Sequence, residues 1–127
     1  MARNKVNGPT EKELAILNVL WNLGPSTVRQ VNDEINKSHK TGYTTTLKLM
    51  QIMAGKKLLE RDESEVKHIY QPVANQDITQ KQLVGDLLER AFSGSSEKLV
   101  MHALSAKKVS AKELAKIKNM INKIEEK

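Results

Sequence analysis

Apolar residues recur every three to four positions along most of this chain, and the breaks in that rhythm divide it into elements. Leu14, Leu17 and Trp21 share a face, which predicts a helix opened by Thr10, with Glu13 completing a capping box. Gly24-Pro25 stops it, and Ser26 or Thr27 caps a second helix with a stripe of Val28, Val31 and Ile35. Arg29, Asp33 and Lys37 fall on its exposed side, and Asn36–Gly42 is a polar connector.

Thr41–Lys57 reads as a third helix with two chemically different faces. Tyr43, Leu47, Met50 and Ala54 line an apolar stripe. Thr44, Lys48, Gln51 and Gly55 recur at the same spacing on another face, and Thr45 points further outward. Hydroxyls, an amide and an ammonium with no carboxylate among them are groups that bond base edges and phosphates. An ordinary solvated polar face is the commoner explanation of any single such helix. The neighbouring elements sharpen the reading.

After Lys57 the period changes. Leu58–Arg61 is a short strand, Asp62–Glu65 a turn, and Val66–Gln71 an alternating strand closed by Pro72. Val66, His68 and Tyr70 are expected on one strand face, with His68 packed or hydrogen-bonded there. Three helices and a two-stranded ribbon form the order of a winged helix-turn-helix, with recognition helix 43–56 and wing 58–72.

From Asn75 onward only helices are signalled. Asp77 and Gln80 cap one with Val84, Leu87, Leu88 and Ala91, and Phe92–Ser95 breaks it. Ser96–Leu104 is a short helix carrying Leu99, and Ser110 with Glu113 opens the last. Leu114, Ile117, Ile121 and Ile124 then form a narrow seam of the coiled-coil kind. These short helices make a poor core alone, so their apolar faces are expected to meet a second copy of the chain. Folding back on the first part is the alternative. The expected architecture is mainly α with a small β-hairpin wing, as a DNA-binding domain at 1–74 and a helical dimerisation domain at 75–127.

Composition narrows the function. The chain has 127 residues and a formal net charge of +6. The excess concentrates in Thr27–Arg61, where Arg29, Lys37, Lys40, Lys48, Lys56, Lys57 and Arg61 face only Asp33, Glu34 and Glu60. That is the footprint of a polyanionic partner. Cysteine is absent, which excludes disulfides and thiolate chemistry and fits a reducing compartment. Met1–Pro9 reads as a mobile polar lead-in, not a signal peptide, and no apolar run has membrane-spanning length. A soluble, cytoplasmic protein without membrane insertion is expected.

His39, His68 and His102 lack partners at metal-ligand spacing, and neither a nucleophile motif nor a phosphate-binding glycine loop occurs. No catalytic residue, metal or cofactor is expected, and no enzyme. Two other classes remain open: a ligand-gated winged-helix regulator, against which few aromatics and short helices argue, and a winged-helix protein-interaction module. The polar set on the third helix argues against the second, because a protein-binding face is more apolar.

The segments PTEKELAILNVLW, GPSTVRQVNDEIN, YTTTLKLMQIMAGKKLLER and HIYQPV, continued by LVGDLLERAFSGSSEKLVMHAL, resemble the penicillinase-repressor family, which includes the BlaI/MecI and copper-responsive CopY types. The resemblance implies a homodimeric winged-helix repressor on an inverted-repeat double-stranded DNA operator. It implies release by proteolysis through a membrane sensor protease in the β-lactam branch, or copper sensing by a C-terminal cysteine pair. The missing cysteines exclude the copper mode. Family wings often read Gly-Arg-Ala-His-Val-Tyr-Arg-Pro; Glu65–Pro72 here lacks both arginines, leaving Arg61 and Lys67 as its cations. The β-lactam repressors are cut at an Asn-Phe bond, and His102-Ala103 stands in the matching place. The expected DNA contacts are Arg29, Lys40, Tyr43, Thr44, Thr45, Lys48, Gln51, Arg61 and Lys67. The expected dimer contacts are Val84, Leu87, Leu88, Leu99, Leu114, Ile117, Ile121 and Ile124.

Overall fold

Glu13 shows how the first helix begins: its backbone N–H donates to the Thr10 hydroxyl at 3.2 Å, and its carboxylate accepts from the Thr10 N–H at 2.9 Å. That capping box opens α1 (Glu11–Leu23) in the computed structural model, which describes residues 8–126. The lead-in expected at the N-terminus lies outside these residues over positions 1–7. Gly24 ends α1 at φ 90°, a left-handed backbone that glycine adopts without a Cβ clash. Thr27 and Gln30 form a second capping box that opens α2 (Val28–Asn36). α3 follows at Tyr43–Gly55, then β1 (Leu59–Asp62), β2 (Ile69–Pro72), α4 (Gln76–Phe92), α5 (Ser96–Ala106) and α6 (Ala111–Glu125). The structure is therefore mainly helical with one two-stranded hairpin, a winged-helix arrangement.

Two compact units, Met1–Val84 and Gly85–Lys127, divide the chain inside α4. The core of the first comprises Ile16, Leu17, Leu20, Val28, Val31, Met50, Met53, Leu59 and Tyr70. Each fully buried side chain of this kind contributes about 1.5–3 kcal/mol relative to exposure. Trp21 is only half-buried, and its indole N–H donates to the Ala74 carbonyl at 3.1 Å, tying α1 to the segment after the wing.

The hairpin is antiparallel, with Leu59 opposite Pro72 and Arg61 opposite Tyr70. Tyr70 also exchanges two backbone hydrogen bonds with Ser26, at 2.8 and 3.0 Å, so the wing is pinned to the α1–α2 turn. The second strand is shorter than expected. Val66, Lys67 and His68 lie in the connecting loop instead, with Val66 99% exposed. His68 is likewise exposed and not packed beside Tyr70, because the ladder ends at the Asp62–Ile69 pair.

In α4 the cap is Asn75, whose side-chain oxygen accepts from the Ile78 N–H at 2.8 Å; Asp77, the expected cap, lies within the first turn. Ser95 caps α5, and Ser110 caps α6 by accepting from the Glu113 N–H at 3.0 Å. Ser93 and Gly94 have φ of 50° and 82°, which breaks the chain between α4 and α5 where expected. Neither α5 nor α6 has a buried residue.

Candidate nucleic-acid interface

Asn32 sets how α3 sits on α2. It is 6% exposed, and its Nδ2 donates to the Thr46 hydroxyl at 2.8 Å and to the Thr41 and Gly42 carbonyls at 3.0 and 3.3 Å. Thr46 is 1% exposed. The inward stripe of α3 is therefore Thr46, Met50 and Met53, with Leu47, Leu49 and Ala54 partly buried beside it. This corrects the expected stripe, which included Tyr43 and omitted Thr46 and Met53. Asn32 satisfies the Thr46 hydroxyl, so a threonine packs in the core without an orphaned polar group.

Rotating the inward stripe to Thr46 leaves Tyr43 outside. It is 39% exposed, and the Arg29 guanidinium stacks over its ring at 4.7 Å. Thr44, Thr45, Lys48 and Gln51 are all exposed. Ile52, which the sequence did not single out, is also 45% exposed on this helix.

Arg29, Tyr43, Gln51, Arg61 and Lys67 converge on one cleft of about 400 Å³ between the start of α2, α3 and the wing. Thr27, Leu47 and His68 are among the other residues of its wall. Thr45 and Lys40 line a different cleft of about 680 Å³, walled by α1, the α2–α3 connector and the other flank of α3. Its floor is Ile16, Val19, Ile35 and Leu49, and its rim carries Lys12, His39 and Lys40. A roomy hollow thus exists despite the few aromatics. Thr44 and Lys48 line neither cleft and stand on the exposed face of α3.

Two of the basic residues around α3 are already engaged. The Lys56 ammonium lies 2.7 Å from Glu13 Oε2. Burial pushes the Glu13 carboxyl up, but the hydrogen bonds from Lys56 and Thr10 and the Lys56 charge outweigh it and hold the group below its ordinary 4.5. Arg61 Nε donates to Glu63 Oε2 at 2.6 Å. The hydrogen bond with Tyr70, then that with Glu63, raises Arg61 further above its ordinary range. Asp62 starts the wing loop by accepting from the Ser64 N–H at 2.9 Å, and that bond lowers its carboxyl. Lys57 sits at φ 68° beyond α3: its N–H reaches the Ala54 carbonyl and the Leu58 N–H reaches Met53, a Schellman ending with lysine where glycine is usual.

Among the described residues, no group of three or more His, Cys, Asp or Glu could hold a metal ion, and no helix is long and apolar enough to cross a membrane. In the second unit, the His102 ring lies 5.7 Å from that of Phe92, and His102 and Ala103 are both exposed on α5. Val84, Leu87, Ile121 and Ile124 are 48–71% exposed, Leu114 is 36% exposed, and Leu88, Leu99 and Ile117 are half-buried.

Comparison with known proteins gives this geometry its context. A solved MarR family protein from Bacillus stearothermophilus superposes with a TM-score of 0.51 at 16% identity, covering 93% of this chain and 74% of that one, which is a likeness of fold alone. The transcriptional regulator BlaI of Mycobacterium tuberculosis, from strains CDC 1551 / Oshkosh and ATCC 25618 / H37Rv, is 33% identical over 92 residues, 71% of this chain and 67% of theirs. The family model described as penicillinase repressor matches residues 9–123, from the proline before the first cap almost to the end of α6. This chain belongs to the penicillinase repressor family and is a winged-helix transcriptional regulator.

Proposed function

We propose that this regulator is a repressor that binds an inverted-repeat DNA operator as a homodimer, through α3 and the β-wing. Convergence carries the reading: Arg29 from α2, Tyr43 and Gln51 from α3, and Arg61 and Lys67 from the wing meet on one cleft. Thr44 and Lys48 extend that surface along a helix that contains no carboxylate. Lysine and glutamine reach guanine and adenine edges, respectively, and the wing cations reach phosphates. Lys40, just before the recognition helix, and Thr45, on its other flank, serve as backbone contacts at the edge of the groove.

The functional division is a DNA-binding domain at 1–74 and a dimerisation domain at 75–127. Apolar side chains left half-exposed along α4 and α6 support it, because none of the described residues of 85–126 is buried. A second copy covering Val84, Leu87, Leu88, Leu99, Leu114, Ile117, Ile121 and Ile124 gives these helices the core they lack. Two linked half-site contacts then bind far better than either alone.

Release proceeds by proteolysis in α5, driven by a membrane sensor protease, in a cytoplasmic protein without membrane insertion. The helix is short, exposed and follows the Ser93–Gly94 break, so it opens locally with little loss of packing. The His102-Ala103 bond offers a protease no large apolar side chain on its C-terminal side, so the enzyme that cuts here differs in pocket from one shaped for phenylalanine.

The larger cleft behind α3 supports a second reading, a small effector with an apolar body and an anionic group that meets Lys12 or Lys40. Recovering DNA bound to the chain in cells, followed by sequencing, tests the main proposal. Repeats with half-sites about one helical turn apart are expected. Fragments sharing no motif contradict it.

A further inference from the structure

Arg61 is held from two sides. On one side is its cross-strand partner Tyr70, 1% exposed and fixed by its backbone to Ser26. On the other is Glu63, two residues along the exposed wing loop, with its carboxylate 2.6 Å from Arg61 Nε. The Arg61 side chain is 34% exposed and that of Glu63 53%. The guanidinium is therefore paired with an anion on an exposed turn, beside a strand that is rigidly held.

Occupancy matters because Arg61 lines the cleft with Arg29, Gln51 and Lys67. A phosphate running past the wing competes for the Arg61 charge that Glu63 now pairs with, and two anions side by side repel. We propose that Glu63 is an internal stand-in for a DNA phosphate: it holds Arg61 ready in the free protein and must be displaced before the wing grips the backbone. The proposal rests on the reading that the wing meets DNA. Under it, Glu63 keeps the guanidinium ordered until the exchange, so little ordering remains to be lost on binding. The carboxylate weakens sequence-independent attachment, because phosphate contacts dominate non-specific binding. The wing then contributes fully only where α3 has already found its bases.

The test is fluorescence anisotropy of the full chain with a mixed-sequence duplex, for the wild type and for Glu63→Gln, Arg61→Ala and the double variant. Glu63→Gln is expected to tighten binding by about 1.5- to 5-fold per wing, the span of an exposed ion pair. Arg61→Ala is expected to weaken binding and lower the salt slope by about 1 per wing. The double variant should then bind like Arg61→Ala alone. Glu65→Gln removes the same charge without the contact and is expected to change affinity less. Unchanged or weaker binding by Glu63→Gln overturns the proposal, and so does an equal gain in the Arg61→Ala background or from Glu65→Gln. If Lys48→Ala still weakens binding in that case, the DNA-binding reading stands without the exchange. If the wild type binds no duplex at all, both fall together.

Discussion

Asn32 donates its side-chain amide to the buried Thr46 hydroxyl at 2.8 Å, and this bond locks the angle between the bracing helix and the recognition helix. The same amide serves the Thr41 and Gly42 carbonyls, which precede the first turn of α3. Asn32→Ala leaves the buried Thr46 hydroxyl without this donor and is expected to destabilise the domain by about 1–3 kcal/mol. Urea unfolding should show a lower midpoint at an unchanged slope. Unchanged stability would mean that packing alone sets the angle.

The Glu13–Lys56 pair joins the start of α1 to the end of α3. Its carboxyl is lowered in the folded state, so its stabilisation is fully present above the unfolded value near 4.5 and is lost as pH falls through the lower folded one. Lys56→Met removes the partner of a nearly buried carboxylate. Because the lysine is 52% exposed, the loss is expected at about 1–3 kcal/mol rather than the larger figure for a dry pair. Melting curves from neutral to acid pH should show the gap between wild type and variant widest near neutrality and closing as pH falls through the folded Glu13 value. Identical curves at every pH would show that the pair contributes nothing.

Lys57 occupies a left-handed position that favours glycine. Lys57→Gly is expected to raise stability by about 0.5–1 kcal/mol, seen as a higher melting temperature. A lower one would mean that the lysine side chain makes a contact stronger than the backbone strain.

Much of this was legible in the chain because the signals are local. The Thr10 and Thr27 caps, the Gly24 stop and the helix–ribbon order all follow from residues a few positions apart. The misread features depend on distant partners. Thr46 looks like a surface residue until Asn32 supplies its bond, and Tyr43 looks like a core residue until Arg29 gives its ring a place outside. Nothing near Ser26 announces its pairing with Tyr70. Lys56 reads as a free cation until Glu13 reaches it, and the split of Lys40 and Thr45 from the other candidate contacts depends on how α1 packs.

The proposed dimer makes its own prediction. Ile121 and Ile124 are 48% and 71% exposed, so charging both should cost a single chain little. Ile121→Glu with Ile124→Glu is expected to sediment as a monomer at concentrations where the wild type is dimeric, and to lose the affinity gained by linking two half-sites. A variant as dimeric as the wild type would place the interface elsewhere.

Recognition of DNA by the exposed face of α3 is the central claim. Selection of bound sequences from a random duplex pool, for the wild type and for the triple variant Thr44→Ala, Lys48→Ala and Gln51→Ala, tests it most directly. None of the three substituted residues is buried, so the variant should fold. The wild type is predicted to enrich an inverted repeat, and the variant to lose that preference while keeping a weaker, salt-sensitive attachment to any duplex. Enrichment of the same repeat by both proteins would contradict the account.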